Sequence, residues 1–330
     1  MNKTPYISVI VTAYNRKDFI LKAIRSVLTQ SLDKSEYEII VIKNFNNKAL
    51  DTFLKGKNVK TILFNVGKNK FTMLPAIKQS SGEVLVFLDD DDEWEKTKLD
   101  KIYRLFTNNK KLGYYHNNYS FIDNYGKSVN SDIRLSQRET IEKLKTYNVE
   151  HNEKNRRVWN IIDYGLFFNN SCVAMRRDII TFNGLGGMPF GVDLQLLYAS
   201  LLSKYNLFFD SDKLTRYRIH TDNTSMHYNK ISKKIELIKQ SIISDKKILN
   251  IVKISGNKDF ETSLIYSILW KKTVLDIMSM KNINLTKVDL LKLIKLNFRI
   301  YPFTRKRLVM LGLLYLLFPK TTNNLLNKKF

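Results

Sequence analysis

The 330-residue sequence predicts an α/β protein, a doubly wound and mostly parallel sheet flanked by helices, with a helical extension following it. Three observations lead there. Short apolar runs alternate with amphipathic segments through the first part of the chain, each run ends in a polar loop, and from Ile231 onward glycine is scarce and helix formers dominate.

Taken in order, Tyr6 to Val11 reads as a first strand, followed by Thr12-Ala13-Tyr14-Asn15-Arg16 and a helix with Ile20, Ile24, Val27 and Leu28 on one face. Tyr37 to Ile42 is a second strand ending in Lys43-Asn44-Phe45-Asn46-Asn47, and Val59 to Phe64 a third ending in Asn65-Val66-Gly67. Lys70 to Ser80 can form a helix. The fourth strand lies within Gly82 to Trp94, GEVLVFLDDDDEW. Val84 to Leu88 suit a strand buried on both faces, and the chain then meets four consecutive carboxylates, Asp89 to Asp92. At the carboxyl end of a parallel sheet, where ligands bind, crowded carboxylates repel one another unless a divalent cation neutralises them. A solvated acidic turn that only ends a strand is the alternative. No Gly-x-Gly-x-x-Gly or Gly-x-x-x-x-Gly-Lys-Ser/Thr pattern occurs, which argues against dinucleotide redox chemistry and against a P-loop nucleotidase.

ISVIVTAYNR, then the Ile-x-Ser-Val-Leu-x-Gln helix from Ile24 to Gln30, then EIIVIKN, Asn65-x-Gly67 and GEVLVFLDDDDEW resemble, in that order, the nucleotide-sugar half of a family 2 glycosyltransferase of the GT-A fold. The resemblance covers about the first 125 residues. It implies a donor pocket lined by Thr12, Ala13, Tyr14, Asn15 and Arg16, with Asn44 approaching the base and Gly67 and Asp90 nearby. It also implies an Asp-x-Asp site at Asp89 and Asp91 for Mg²⁺ or Mn²⁺, buttressed by Asp92 and Trp94. Where the family carries acidic residues after the second strand, this chain has Lys43 and Asn44; Asn44 can donate or accept, so the base stays open.

Further along, Gly113 to His116 reads as another strand, Asp123 near Gly126 as a turn, Lys127 to Arg157 as a polar loop with helical potential around Thr140 to Tyr147, and His151 as solvated. The segment YGLFFNNSCVAMRR resembles the family's acceptor-side strand and brings Asn169, Asn170 and Ser171 near the cleft. Asp193 falls where the family places its general base, although Val192 stands where a second acid is usual; a helix-capping Asp ahead of Leu194 to Leu202 is the alternative. Arg216, Arg218 and His220 recur every second residue and so share one face of a strand. Three basic groups on one face call for an anion, so Arg216 and Arg218 are expected to add positive charge at the departing diphosphate; YRIHTDNTS resembles the family's late motif in which a histidine nears the metal and diphosphate, which makes His220 the candidate third metal ligand.

The formal net charge is +24, which favours polyanions such as anionic lipid or phosphorylated substrates. From Ile231 onward there are 20 basic and six acidic side chains, a net of +14. Leu291 to Phe330 holds nine basic residues and no acidic one, with the apolar stretch Leu308 to Phe318 between Arg305-Lys306-Arg307 and Lys320. That stretch is too short to span a bilayer but suits a segment lying in the headgroup region of an anionic membrane; an ordinary helical pair is the alternative. Basic and aromatic residues are not interleaved as in a stacking platform, so nucleic acid is not an expected partner. The single cysteine, Cys172, excludes a disulfide framework, and the N-terminus lacks the pattern of a signal peptide, so a cytoplasmic location, peripheral on the membrane, is expected.

The expected organisation is therefore a nucleotide-sugar half (1–125), an acceptor half (126–230) and a basic helical extension (231–330). The expected activity is metal-dependent, inverting transfer of a sugar from a nucleoside diphosphate donor to a lipid-linked or glycan acceptor. A nucleotidyltransferase on a similar sheet and a non-catalytic membrane-bound scaffold are the alternatives.

Overall fold

The structure, a computed structural model, describes residues 4–14, 18–64, 73–131, 142, 146–151, 161, 165–182, 191–220, 231–279 and 287–300. Strand and helix alternate as the apolar runs predict: β1 (Ile7–Ala13), α1 (Ile20–Leu28), β2 (Tyr37–Lys43), α2 (Lys48–Gly56), β3 (Lys60–Leu63), α3 (Leu74–Gln79) and β4 (Val84–Asp89). There follow β5 (Glu93–Trp94), α4 (Lys98–Asn108), β6 (Leu112–Ile122), β7 (Ser128–Val129), β8 (Thr146–Val149), β9 (Val173–Arg176), α5 (Arg177–Phe182), α6 (Val192–Leu202) and β10 (Asn206–Arg218). One sheet holds these strands in the order β3-β2-β1-β4-β9-β6-β10-β5, with β7 on β6 and β8 on β10.

From β3 to β4 all neighbours run parallel, with Ile7 level with Tyr37 on one side and Val84 on the other. Val84 to Leu88 are completely buried, as a strand between two neighbours under helices requires. Beyond β4 the sheet is mixed. β9 enters antiparallel between β4 and β6, whereas β6 and β10 run parallel through three irregularities, at Asn206/Leu207, Asp210/Lys213 and Lys213/Thr215. The expected halves 1–125 and 126–230 thus share a single sheet, and the chain divides into compact units at 1–221 and 222–330. β6 runs well past His116, and Tyr147, expected near a helix end, lies in β8 opposite Phe209.

The core beneath the parallel half joins Val9, Val11, Val41, Val86 and Leu88 to Ile20, Ile24 and Val27 of α1 and Leu99, Ile102 and Phe106 of α4. At the amino end of this half, Gly82 allows a close approach: a Cβ there would meet the Ser8 nitrogen at 2.5 Å. Beside it, the Glu38 carboxylate accepts hydrogen bonds from Ser8 Oγ (2.8 Å), Lys60 Nζ (2.6 Å) and the nitrogen (2.5 Å) and hydroxyl (2.6 Å) of Ser81. One acid therefore ties β1, β2, β3 and the approach to β4.

The second unit contributes α7 (Ile231–Ser255), α8 (Lys258–Ser279) and α9 (Lys287–Ile300). Gly256, at φ +72°, makes the left-handed turn between the first two. Ile242, Ile268 and Leu275 pack between them, and buried Asp245 accepts from Lys271 Nζ (2.6 Å) and Ser267 Oγ (2.8 Å). Among the described residues no helix is long and apolar enough to cross a membrane. The basic apolar segment around Leu308 to Phe318 lies outside the described residues.

Partial burial alone would raise the Glu38 pKa, but the bonds from Lys60, Ser81 and Ser8 outweigh it and depress it to about 2. A folded-state value below the unfolded one adds stability that is present above about pH 4.5 and is lost as pH falls toward 2. Glu38→Gln is therefore expected to cost ~1–2 kcal/mol at pH 7 after allowance for screening, and the gap to the parent should close in urea unfolding as pH approaches 2.

Candidate active site

At the carboxyl ends of β1 and β4 the four aspartates separate into different environments. Asp90, Asp91 and Asp92 are 1, 6 and 1% exposed and Asp89 is half-buried. The Thr12 hydroxyl donates to Asp89 Oδ1 (3.0 Å), and the Asp89 nitrogen donates to Ser171 Oγ (3.0 Å). Asp90 turns toward β1: its nitrogen donates to the Thr12 carbonyl (3.1 Å) and its Oδ2 accepts from the Tyr14 nitrogen (3.2 Å). Asp91 Oδ2 meets His220 Nε2 at 3.0 Å. Asp92 faces inward, accepting from Asn169 Nδ2 (2.7 Å) and from the Arg218 nitrogen (3.0 Å).

This arrangement is costly in itself. Complete burial raises the Asp92 pKa, and the neighbouring Asp91 and Asp89 carboxylates raise it further. Counter-charge comes from the end of β10. Arg218, with no exposed surface, donates from Nε to the Asp91 carbonyl (2.8 Å), from Nη1 to the Asp123 carbonyl (2.6 Å) and from Nη2 to the Glu93 carboxylate. Its guanidinium carbon lies 4.7 Å over the Phe19 ring, and Phe19 also packs on His220 at a centroid distance of 5.2 Å. Arg216 shares Glu93 (3.1 Å) and donates to the Gly126 carbonyl. The expected turn is present there: Gly126, at φ +88°, closes Asp123–Lys127, and main-chain donors, the Lys127 nitrogen foremost, hold the Asp123 carboxyl below its ordinary range.

The sequence-derived residues Thr12, Tyr14, Asp89, Asp90, Asp91, Asp92, Trp94, Asn169, Ser171, Arg216, Arg218 and His220 thus form one connected group. Ala13 packs into the core beneath it, 4% exposed. Asn44 lies just beyond the end of β2. Lys43, which replaces the family's acid, points away under α2, 2% exposed, with its amine 2.9 Å from Asp51 and 2.7 Å from the Phe45 carbonyl. Asn15, Arg16 and Gly67 lie outside the described residues.

Asp193 stands in the first turn of α6. Its Oδ1 accepts from the next main-chain nitrogen, Leu194 (2.9 Å), and Gly191 occupies the capping position. Burial first, and the Asp193 charge second, push the buried Tyr114 phenol of β6 well above its ordinary range. His151 is exposed, and Cys172 is buried with its thiol pushed up to about 12 by burial, which leaves it unreactive.

Phe19, Glu93 and Lys98 were not anticipated in the sequence. Only their positions hinted at roles: Glu93 continues the acidic run, and Phe19 immediately precedes α1. Among the described residues no ready-made cluster of three metal-ligating side chains occurs. A depression of about 380 Å³ lined by Lys43, Asp51, Lys55 and Lys60 shares no residue with the acidic group.

Residues 8–181 match the profile described as Glycosyl transferase family 2. An uncharacterized glycosyltransferase of Rickettsia bellii is 32% identical over 129 residues, which are 38% of this chain and 18% of that protein. The poly(ribitol-phosphate) beta-N-acetylglucosaminyltransferase TarP of Staphylococcus aureus is 28% identical over 137 residues, 40% of this chain and 36% of TarP. The match therefore spans well under half of these relatives' lengths. Among solved structures, S. aureus TarS in complex with UDP-GlcNAc superposes with a TM-score of 0.59 at 16% identity, covering 92% of this chain and 82% of that one. The mannosyltransferase PcManGT from Pyrobaculum calidifontis, in complex with GDP-Man and Mn²⁺, does so at 0.51 and 14%, covering 96 and 88%.

Removing Arg218 would take a donor from the Asp91 and Asp123 carbonyls and from the largely buried Glu93 carboxylate, and would empty a fully buried site, whereas Arg216 is partly solvated. Arg218→Ala is expected to destabilise the first unit by ~3–5 kcal/mol and Arg216→Ala by under ~1 kcal/mol, read by urea unfolding.

Proposed function

The chain belongs to glycosyl transferase family 2, and from that premise we propose that it transfers a sugar from a nucleoside diphosphate donor to an acceptor hydroxyl or phosphate, with inversion at the anomeric carbon. The observation that carries this reading is the acidic turn Asp89–Asp92 at the carboxyl end of β4, tied to Thr12 of β1 through Asp89 and to His220 beyond β10 through Asp91, and held by Ser171, Asn169 and Arg218. Solved proteins of the same fold in complex with UDP-GlcNAc, and with GDP-Man and Mn²⁺, support a nucleotide-sugar donor.

The residues fit a hard divalent cation. Two carboxylates with an imidazole beside them suit an ion that completes its shell with phosphate oxygens and water, and the repulsion felt by Asp92 is relieved by positive charge at this point. Asp89 and Asp91, with His220, would hold Mg²⁺ or Mn²⁺, which when bound would offset the charge gathering on the departing diphosphate. Thr12 and Ser171 fix Asp89, and His220 Nε2 would exchange its contact with Asp91 for the cation. Thr12, Tyr14 and Asn44 lie along the adjoining strand ends, where the nucleoside would sit. Arg216 and Arg218 contribute a positive background behind the acidic turn. With a hydroxyl acceptor, Asp193 takes its proton as the oxygen attacks opposite the leaving group.

The excess of basic residues after Ile231 supports a peripheral position on an anionic, cytoplasmic membrane face, where a lipid-linked acceptor would be met. A glycan acceptor fits the same transfer step.

The test is donor turnover by the full chain with UDP-GlcNAc and GDP-mannose, with and without Mn²⁺. Asp91→Asn is expected to lower metal-dependent turnover by at least ~100-fold; unchanged turnover contradicts the site. Formation of a nucleotide sugar from a nucleoside triphosphate and a sugar phosphate would identify a nucleotidyltransferase instead. For the membrane role, a chain lacking residues 291–330 should pellet several-fold less with phosphatidylglycerol vesicles than the full chain; equal pelleting rejects it.

A further inference from the structure

Behind the acidic turn lies a buried amine that the transfer scheme does not use. Lys98, at the start of α4, has no exposed surface. Its Nζ donates to the Ser171 carbonyl (2.5 Å) and to Thr215 Oγ1 (2.9 Å) and lies 4.6 Å over the Trp94 ring. The same carbonyl accepts from Trp94 Nε1 (2.9 Å) and from Thr215 Oγ1 (3.1 Å). Three donors, from α4, β5 and β10, thus converge on one peptide oxygen, which has only two lone pairs. Such convergence pins the peptide in both direction and height.

The pinned peptide belongs to the residue that carries the acidic turn. Ser171 Oγ accepts the Asp89 nitrogen, and the Ser171 nitrogen donates to Asn169 Oδ1 (2.9 Å), whose amide donates to Asp92 Oδ2. Both ends of the Asp89–Asp92 turn therefore hang from the short 3₁₀ turn Asn170–Cys172 and its capping residue Asn169. We propose that Lys98 is a positioning residue: through the Ser171 peptide it sets the placement of Asp89 and Asp92, and with it the spacing of the carboxylates offered to a cation. Burying an ammonium is costly where an apolar side chain of similar length would fill the space, and burial lowers the Lys98 pKa to about 7. What the amine adds over such a side chain is its two directed bonds, to Ser171 and Thr215.

For its effect on cation binding the proposal rests on the metal-dependent reading above; for the placement of the turn it does not. The experiment therefore has two readouts on the full chain: amide hydrogen exchange over residues 89–92, without metal, and Mn²⁺ binding followed by electron paramagnetic resonance. Lys98→Met is expected to speed exchange at 89–92 at least tenfold while amides of β1 and β2 stay within twofold, and to weaken Mn²⁺ binding about tenfold. In a Ser171→Ala background the same substitution should weaken Mn²⁺ binding by less than twofold further, because its route to Asp89 is already cut; a merely structural role would give additive losses. Thr215→Val removes one donor to the same carbonyl and should shift exchange at 89–92 about threefold in the same direction, a check that holds even if Lys98→Met does not fold. Uniform acceleration across the sheet, unchanged exchange at 89–92 in Thr215→Val, or full additivity with Ser171→Ala overturns the proposal. If the parent chain binds no Mn²⁺, the metal-dependent reading fails and the exchange experiment alone judges Lys98.

Discussion

The concentration of negative charge at the end of a buried strand is the constraint to which the first unit answers. Asp90, Asp91 and Asp92 are removed from water within three residues of one another, so each needs its own donors. The surrounding chain supplies them from several directions: the Tyr14 nitrogen just beyond β1 for Asp90, Asn169 from the turn before β9 and the Arg218 nitrogen from the end of β10 for Asp92, with His220 beside Asp91, while Thr12 donates to Asp89 and Ser171 accepts from the Asp89 nitrogen. The sheet order is what makes this possible, because β1 and β9 are the two neighbours of β4.

Two layers can be distinguished by what their polar atoms do. Asp90, Asp92, Asn169, Arg218 and Glu93 bond chiefly to protein and give the turn its shape. Asp89 is less buried, and Asp91 lies against the imidazole of His220. Glu38 does comparable work at the opposite end of the strands, closing the amino ends of the parallel half with a single carboxylate.

Much of this was legible in the sequence. The runs forming β1, β2 and β4 are uninterrupted and end in polar loops, so their positions and the acidic strand end followed from pattern alone. β6 was seen only as far as His116, because Asn117-Asn118 are polar; Asn117 is buried with Thr215, far away in the chain, as a partner. Direction escaped pattern entirely: nothing in Val173 to Arg176 announces that β9 runs against its neighbours. Helical potential near Tyr147 gave way to pairing with β10, a tertiary partner overriding local preference. Lys43, where the family carries an acid, pairs with Asp51 across the strand-to-helix connection, a contact visible only in three dimensions.

The irregular stretch of β10 between Asp210 and Thr215 bears on how this gene product can change. Those offsets set the phase with which the strand reaches Arg218 and, just beyond it, His220. Inserting or deleting one residue there would turn each later side chain to the opposite face, taking the guanidinium from beneath the aspartates and the imidazole from Asp91. Length variation should thus be excluded from these few positions, yet readily absorbed beside the exposed margin strand β3, where no such phase is at stake.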